Sequence, residues 1–274
     1  MLKSFKQNLH THSTFCDGKN TPEEIVLVAL EKGFDSIGFS SHSTTYGMIS
    51  RGEPPTDLKG YKKEISRLKK KYNDKIKIYC GLEVDDSYKS DVTGFDYLIG
   101  STHYLPFDDK FEGFDSRTPE QIQSLLDRRF NGNGLEFAKA YYKRLANLPN
   151  YAKFDIVAHF DLVVKHVENL PFVDIESKEY LTLAFEAIEA LKDKIPLFEV
   201  NVGGIVRGYR KSPYPYLSIV KELKRQGFGA VITTDCHNLD FLDTNMDKGV
   251  MLLKEAGFKE KFVLTDNGFI PIEL

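Results

Sequence analysis

The chain has 274 residues, of which 41% are hydrophobic and 28% are charged, as in a soluble globular protein with a sizeable core. A formal net charge of -3 provides no overall basic field to attract nucleic acid, so an anionic ligand would need a local site. No apolar run approaches the roughly 18 residues of a membrane-spanning helix, Lys3 and Lys6 interrupt any signal-like start, and three cysteines without paired spacing favour a reducing cytoplasm.

The first motif in the chain is a His-x-His pair followed by an acid. His10 and His12 are two positions apart, so in an extended segment both imidazoles point to the same side and can reach one metal ion. The turn after them, rich in Ser, Thr and Gly, can return Asp17 to the same point as an anionic ligand. An isolated pair of this kind is more often a surface feature than a site, so the rest of the chain decides its meaning.

Strand and helix patterns alternate along the rest of the chain. After a first strand that ends in the His-x-His pair, the sequence predicts strands at 36–42, 75–85, 95–103, 154–159, 196–201 and 230–237, and a short one at 262–264. Helices are predicted at 21–33, 58–72, 118–148 with a break at 131–134, 177–192, 215–226 and 246–256. A long aromatic and acidic loop is predicted at 104–117, and a Gly-rich turn at 202–204.

This alternation predicts a single α/β domain over residues 1–274. No linker rich in Pro, Gly or Ser and no internal repeat divides the chain. Because seven of the predicted strands are followed by helical or loop segments of crossover length, we expect one distorted TIM-like (β/α)7 barrel. In such a barrel the functional site forms at the C-terminal face of the strands.

Candidate metal ligands concentrate at the predicted strand ends. Six of the seven histidines lie at or just beyond such an end, and three carboxylates accompany them: the set is His10, His12, Asp17, His42, Glu83, His103, His159, Asp235 and His237. These are too many for one tetrahedral ion, so two or three ions are expected, with Glu83 bridging a pair. Three divalent ions would outweigh three carboxylates and a hydroxide by about two charges, which suits a phosphate monoester dianion.

In order and type, these residues resemble the motif set of the PHP (polymerase and histidinol phosphatase) superfamily, and in size the chain is similar to its free-standing histidinol-phosphate phosphatases. The resemblance implies three divalent ions, with zinc favoured and manganese or iron as alternatives. It also implies three ligand groups, namely His10, His12, Glu83 and Asp235, then Glu83, His103 and His159, then Asp17, His42 and His237. Asp17 stands where many relatives have a histidine, and as a harder ligand it leaves the identity of the third ion open.

The resemblance implies hydrolysis of L-histidinol phosphate in histidine biosynthesis, with metal-activated water as the nucleophile. Arg207 lies in a segment like one that these phosphatases carry and is implied as a phosphate ligand, and Arg117 is a further candidate for substrate contact. Asp235 is the candidate acceptor of the water proton. His237, as a metal-site histidine, or a bound water is the candidate donor to the leaving group. The acids and aromatics of the 104–116 loop fit the amine and imidazole of the substrate.

Several neighbouring residues have simpler interpretations. We expect His166 on the surface and Lys165 without a phosphate contact. Asp85 and Asp86 are expected to be solvated acids or acids outside the ligand set, and we exclude them from the site.

Two other functions are compatible with the motifs. A PHP phosphoesterase acting on nucleotides or nucleic-acid ends should carry a basic stripe, which this sequence lacks. A non-catalytic metal-binding PHP module should have lost ligands, whereas none is missing here. The sequence therefore favours a small-molecule phosphate monoester as partner, without nucleic acid or membrane, and leaves the oligomeric state open.

Overall fold

The computed structural model describes residues 5–274 as a barrel of parallel strands surrounded by helices. Its strands are β1 (Gln7–Asn8), β2 (Ser36–Phe39), β3 (Lys77–Asp85), β4 (Tyr97–Ser101), β5 (Tyr104–Phe107), β6 (Lys110–Gly113), β7 (Ile156–Val157), β8 (Leu197–Asn201), β9 (Gly229–Thr233), β10 (Glu260–Thr265) and β11 (Gly268–Glu273). Its α-helices are α1 (Pro22–Glu31), α2 (Tyr46–Ser50), α3 (Leu58–Lys71), α4 (Pro119–Phe130), α5 (Gly134–Leu145), α6 (Lys178–Leu191), α7 (Gly203–Val206), α8 (Leu217–Arg225) and α9 (Met246–Glu255). Short 3-10 turns occur at Leu148–Asn150, Leu162–Val164 and Leu239–Phe241. Within this described part, no helix combines the length and apolarity needed to cross a membrane.

Seven of the strands found within residues 5–274 form one parallel sheet in the order β1, β2, β3, β4, β7, β8, β9. The sheet curls until its two edges meet beyond the strand ends. The backbone N–H of His12 donates to the carbonyl of Cys236 at 2.8 Å, and the N–H of Cys236 donates to the carbonyl of His10 at 3.1 Å. The predicted (β/α)7 barrel is therefore confirmed, and its closure places the His-x-His motif beside Asp235 and His237.

Apolar side chains from the strands fill the barrel interior. Tyr97 in β4 belongs to one buried cluster with Leu9, Ile99 and Val231, and its hydroxyl donates to the carbonyl oxygens of Leu9 and Phe39. Because these contacts join strands on different sides of the barrel, they hold its circumference together.

The C-terminal hairpin, formed by β10 and β11, covers the N-terminal end of the barrel. The Gln7 side chain in β1 donates to the carbonyl of Leu264 at 2.9 Å and accepts from its N–H at 2.8 Å. Phe262 packs against the apolar interior beside these bonds. The C-terminal ends of the parallel strands face the opposite way and carry the candidate site.

The helices begin where capping signals predict them. Thr21 forms a capping box with Glu24 at the start of α1, and Thr118 does the same with Gln121 at the start of α4. The predicted break in the long helical region is confirmed, because Asn131 ends α4 in the left-handed conformation at φ 50°.

Several segments differ from the sequence prediction. The expected loop at 104–117 contains the antiparallel hairpin of β5 and β6, whose turn includes Asp108 at φ 52°. The single strand expected at 262–264 is longer and pairs with β11, and the Gly-rich turn at 202–204 begins the short helix α7. Helix α2 was not predicted. These elements are too short to show a period of their own, and tertiary contacts determine them.

Candidate metal centre

The candidate site lies at the C-terminal ends of the barrel strands. His10 and His12 follow β1, His42 follows β2, Glu83 lies in β3, His103 follows β4, His159 follows β7, Asp235 and His237 follow β9, and Asp17 lies in the loop before α1. The ends of parallel strands converge in a closed barrel, so the structure brings all nine of these side chains together.

The first group of atoms surrounds one carboxylate oxygen of Glu83. Oε2 of Glu83 lies 3.3 Å from Nε2 of His10 and 3.5 Å from Nε2 of His12. Oδ1 of Asp235 lies 3.5 Å and 3.2 Å from the same two nitrogen atoms. These are the four side chains of the first expected ligand group.

The second group surrounds the other oxygen of the same carboxylate. Oε1 of Glu83 lies 3.4 Å from Nε2 of His103 and 3.3 Å from Nε2 of His159. The two imidazole nitrogens are 3.3 Å apart. Each oxygen of Glu83 thus faces a different set of histidines, which is the geometry required of a bridging carboxylate.

The third group surrounds Asp17. Its Oδ1 lies 3.6 Å from Nε2 of His42 and 3.3 Å from Nε2 of His237. Nδ1 of His12 lies 3.7 Å from the same oxygen. The ring of His12 therefore stands between the first and third groups, whereas the sequence-based grouping placed His12 in the first group alone.

Buried atoms in these groups have no hydrogen-bond partner within the described residues 5–274. They include both carboxylate oxygens of Glu83 and the Nε2 atoms of His10 and His12. Polar atoms that are buried and unpaired in this way are costly. Divalent cations between imidazole nitrogens and carboxylate oxygens would satisfy them, and this donor set suits zinc, manganese or iron. The residues present therefore fit a multinuclear metal centre.

Glu199 in β8 holds His10 from behind. Its Oε2 lies 2.8 Å from Nδ1 of His10, and both side chains are fully buried. Because a carboxylate only accepts hydrogen bonds, the neutral form of His10, which is the form that binds a metal, carries its proton on Nδ1 and presents the lone pair of Nε2 to the centre. Burial alone would raise the pKa of Glu199, but the His10 imidazole outweighs this effect and lowers it. Sequence reasoning missed this role, although a carboxylate inside the apolar strand 197–200 was a usable signal.

Asp85 has the same relation to His103. Its Oδ2 accepts from the backbone N–H of His103 at 2.9 Å and lies 3.1 Å from Nδ1 of the same ring. Asp85 is only 1% exposed, so it is one of the acids outside the ligand set and not a solvated one. Asp86 points elsewhere and pairs with Arg144 at 2.9 Å.

Arg207 lies against the opposite oxygen of Asp235. Its Nη2 donates to Oδ2 of Asp235 at 2.6 Å, and its Nη1 donates to the Asp235 carbonyl at 2.9 Å. Burial would raise the pKa of Asp235, but Arg207 and His10 hold it well below its usual value. One oxygen of this carboxylate thus faces the histidines and the other faces a guanidinium.

A cavity of about 270 Å³ opens directly above the ligand groups. Arg207 lines it, and so does Lys165, which the sequence analysis had placed away from any phosphate contact. Arg117 does not line this cavity. Its Nε donates to the carbonyl of Gly113, and it lines a neighbouring cavity of about 360 Å³ that it shares with Arg207. A substrate contact by Arg117 therefore stays a prediction.

The expectation for His166 was wrong. The residue is only 5% exposed, its Nε2 donates to the Arg117 carbonyl at 2.9 Å, and its ring meets Tyr209 edge to face. The 3-10 turn at Leu162–Val164 redirects the chain after β7, so position along the sequence did not reveal this burial.

The comparisons with known proteins agree with this geometry. A family model described as the PHP domain matches residues 8–202. The chain is 29% identical over 272 residues to a histidinol-phosphatase of Lactococcus lactis, a match that covers 93% of each protein. It is 27% identical over 253 residues to a histidinol-phosphatase of Bacillus subtilis, which covers 85% of this chain and 93% of the relative.

A solved structure supports the same relationship. The crystal structure of histidinol phosphate phosphatase from Lactococcus lactis, complexed with zinc, L-histidinol and phosphate, is similar with a TM-score of 0.70 and 26% sequence identity. The similarity covers 97% of this chain and 98% of that one. The resemblance drawn from the motifs is thereby confirmed, and the chain belongs to the PHP domain family.

Proposed function

We propose that the protein is a metal-dependent phosphomonoesterase that hydrolyses L-histidinol phosphate to L-histidinol and phosphate in histidine biosynthesis. The gathering of nine nitrogen- and oxygen-bearing side chains at one end of the barrel, with Glu83 among them, carries this proposal. The similarity over 93% of the length of a histidinol-phosphatase supports the choice of substrate.

We infer that three divalent ions bind in the three ligand groups, with zinc favoured and manganese or iron as alternatives. When bound, such ions make hydroxide available near neutral pH and neutralise phosphoryl oxygens. The chain prepares the ligands in advance, because Glu199 and Asp85 orient the rings of His10 and His103.

Asp235 and Arg207 lie side by side at the cavity wall, and we propose a separate role in the reaction for each. Asp235 is the proposed acceptor of the proton of the attacking water, because its Oδ1 faces the candidate ligand atoms of His10 and His12. Arg207 lines the cavity next to it, where its guanidinium can neutralise a phosphoryl oxygen.

A larger cavity beside the cluster suits the organic part of the substrate. It measures about 540 Å³, and Phe15, Met48 and Pro54 contribute apolar lining. Tyr104 and Asp115, from the region expected to hold the amine and the imidazole, also line it. This supports a cationic, aromatic leaving group.

The proposed partner is a small phosphate ester, not a nucleic acid or a membrane. The three cysteines are free thiols, which suits a reducing compartment such as the cytoplasm.

Steady-state kinetics combined with elemental analysis of the same sample tests the proposal. We expect L-histidinol phosphate to be hydrolysed with a much higher kcat/KM than a nucleoside monophosphate, and single-stranded DNA to remain intact. Higher activity on the nucleotide or the DNA would replace the proposed substrate with the nucleic-acid alternative. A metal-loaded sample that is inert toward every phosphomonoester would instead support a non-catalytic module.

A further inference from the structure

Cleavage of an alkyl phosphate leaves a strongly basic alkoxide, which needs a proton as the P–O bond breaks. His237 is poorly placed to supply one. Its Nδ1 lies 2.9 Å from the Asp235 carbonyl, and its Nε2 faces Asp17 as a ligand atom. The proton must therefore come from another residue at the cavity.

The groups that line the 270 Å³ cavity outside the ligand set differ in their ability to give up a proton. Burial alone would raise the pKa of Asp115, but Lys165 and the other nearby charges together have the larger effect and the net pKa is lowered. The Asp115 carboxyl therefore has no proton to donate near neutral pH. Arg207 is engaged by Asp235, and a guanidinium does not deprotonate in proteins. Burial raises the pKa of Tyr214, which makes it a weaker acid. A serine hydroxyl such as Ser116 is no more acidic than the alcohol that leaves.

Lys165 is held in a defined position at this cavity. The residue is 8% exposed, and its Nζ donates to the carbonyl of Asp115 at 2.6 Å and to Oδ1 of Asp115 at 2.9 Å. The ammonium lies 4.1 Å from the centre of the Tyr209 ring. An ammonium has three N–H groups, and within residues 5–274 the third has no acceptor. A proton donor is therefore available at the wall of the 270 Å³ cavity.

We propose that Lys165 is the catalytic residue that protonates the leaving oxygen. As the bond between phosphorus and the leaving oxygen breaks, its electron pair stays on that oxygen, which takes a proton from Nζ of Lys165. The neutral amine then regains a proton from water. A lysine ammonium is a stronger acid than an aliphatic alcohol, so the transfer is favourable.

Asp115 is the positioning residue for Lys165. Its backbone and side-chain oxygens both bind the ammonium, which fixes the direction of the third N–H. Asp115 also lines the 540 Å³ cavity proposed for the organic group. Lys165 and Asp115 therefore lie between the cavity proposed for the phosphate and the cavity proposed for the leaving group. This inference rests on the proposed phosphatase function.

The test compares substrates whose leaving groups differ in their need for a proton. The variants are Lys165→Met and Asp115→Asn, with Lys221→Met on the exposed side of α8 as the matched control. The alkyl substrate is L-histidinol phosphate and the aryl substrate is p-nitrophenyl phosphate, whose phenolate leaves without protonation. Zinc content and the affinity for inorganic phosphate, measured by calorimetry, are recorded for each metal-loaded variant.

For Lys165→Met we expect kcat/KM on the alkyl substrate to fall about 100-fold or more, the usual contribution of a general acid, while the aryl substrate changes less than about threefold. Asp115→Asn should show a smaller loss of kcat/KM, and this loss should again be larger on the alkyl substrate than on the aryl substrate. Lys221→Met should behave as the unmodified protein does. Zinc content should not change in any variant.

Equal losses on both substrates, together with weaker phosphate binding, would overturn the proposal and make Lys165 a phosphate contact. Unchanged activity on the alkyl substrate would also overturn it. If the unmodified protein does not hydrolyse L-histidinol phosphate, the proposed function fails separately. The ratio of losses is then measured on O-phosphoethanolamine, another alkyl ester, so the role of Lys165 is still decided.

Discussion

Replacing Glu199 by Gln should weaken metal binding although Glu199 is not itself a ligand. Oε2 of Glu199 faces Nδ1 of His10 at 2.8 Å and accepts from the Thr233 hydroxyl at 2.7 Å. Oε1 accepts from the backbone N–H of His159 at 2.6 Å and from the side-chain NH₂ group of Asn201 at 2.9 Å. A glutamine has only one carboxamide oxygen, so it can accept hydrogen bonds either from the His10 and Thr233 side or from the His159 and Asn201 side, but not from both.

The less costly orientation keeps the oxygen toward His159 and Asn201. The new NH₂ group then faces Thr233, whose hydroxyl can turn and accept, and His10, whose Nδ1 must give up its proton. That proton moves to Nε2, the atom that lies 3.3 Å from Oε2 of Glu83. The variant thus blocks a candidate ligand atom without changing the size of any side chain.

Loss of a partner that orients a metal-bound histidine costs about 10- to 100-fold in metal affinity, which corresponds to about 1.4–2.7 kcal/mol. Competition for zinc with a chelating dye measures this affinity, and Glu186→Gln on the exposed face of α6 is the matched control. Urea denaturation of the metal-free proteins separates the effect from a general loss of stability. Wild-type zinc affinity in Glu199→Gln would refute the argument from the tautomer of His10.

Three further predictions follow from the same geometry. Glu83→Gln should lose zinc and turnover together, because its two oxygens face different ligand groups; elemental analysis and kinetics on one sample check this. Gly81→Ala should lower the free energy of unfolding by about 1–3 kcal/mol, because a methyl group there would collide with the ring of Tyr97; chemical denaturation measures it. Burial opposes the charged form of His10, but Glu199, Asp235 and Glu83 raise its pKa well above 6.5. The stability that this charge contributes is complete below pH 6.5 and is lost as pH rises through the raised pKa. The metal-free protein should therefore lose stability as the pH rises. The zinc-loaded protein should instead lose stability as the pH falls, because protons then compete with zinc for the ligands. Thermal unfolding measured across pH, with and without a chelator, compares the two.

Each of these predictions has a result that contradicts it. Full zinc content with normal turnover in Glu83→Gln would exclude a bridging role. A Gly81→Ala variant as stable as the unmodified protein would mean that Tyr97 can move without cost. Parallel pH profiles for the metal-free and zinc-loaded proteins would show that His10 does not contribute charge in the absence of metal.

Local sequence was sufficient to predict the barrel and the set of side chains that gather at the C-terminal ends of its strands. The alternation of buried strands with amphipathic helices predicted seven parallel strands, and the convergence of strand ends then placed His42, Glu83 and His103 on one face. These inferences depend on period and residue type, which a single sequence displays. The hairpin of β5 and β6 was predicted as a loop. Short strands gain their stability from cross-strand pairing, which a local sequence pattern does not display.

The order and chemical type of the side chains determined which fold forms and which atoms are available to hold cations, because both follow from properties that each segment carries alone. Only the tertiary structure decided which buried groups face each other. Glu199 meets His10 because β8 and the end of β1 lie side by side in the closed barrel, and Lys165 meets Asp115 because the segments after β6 and β7 pack over the same cavity. Such pairings depend on the path of the chain in three dimensions, and no local pattern encodes them.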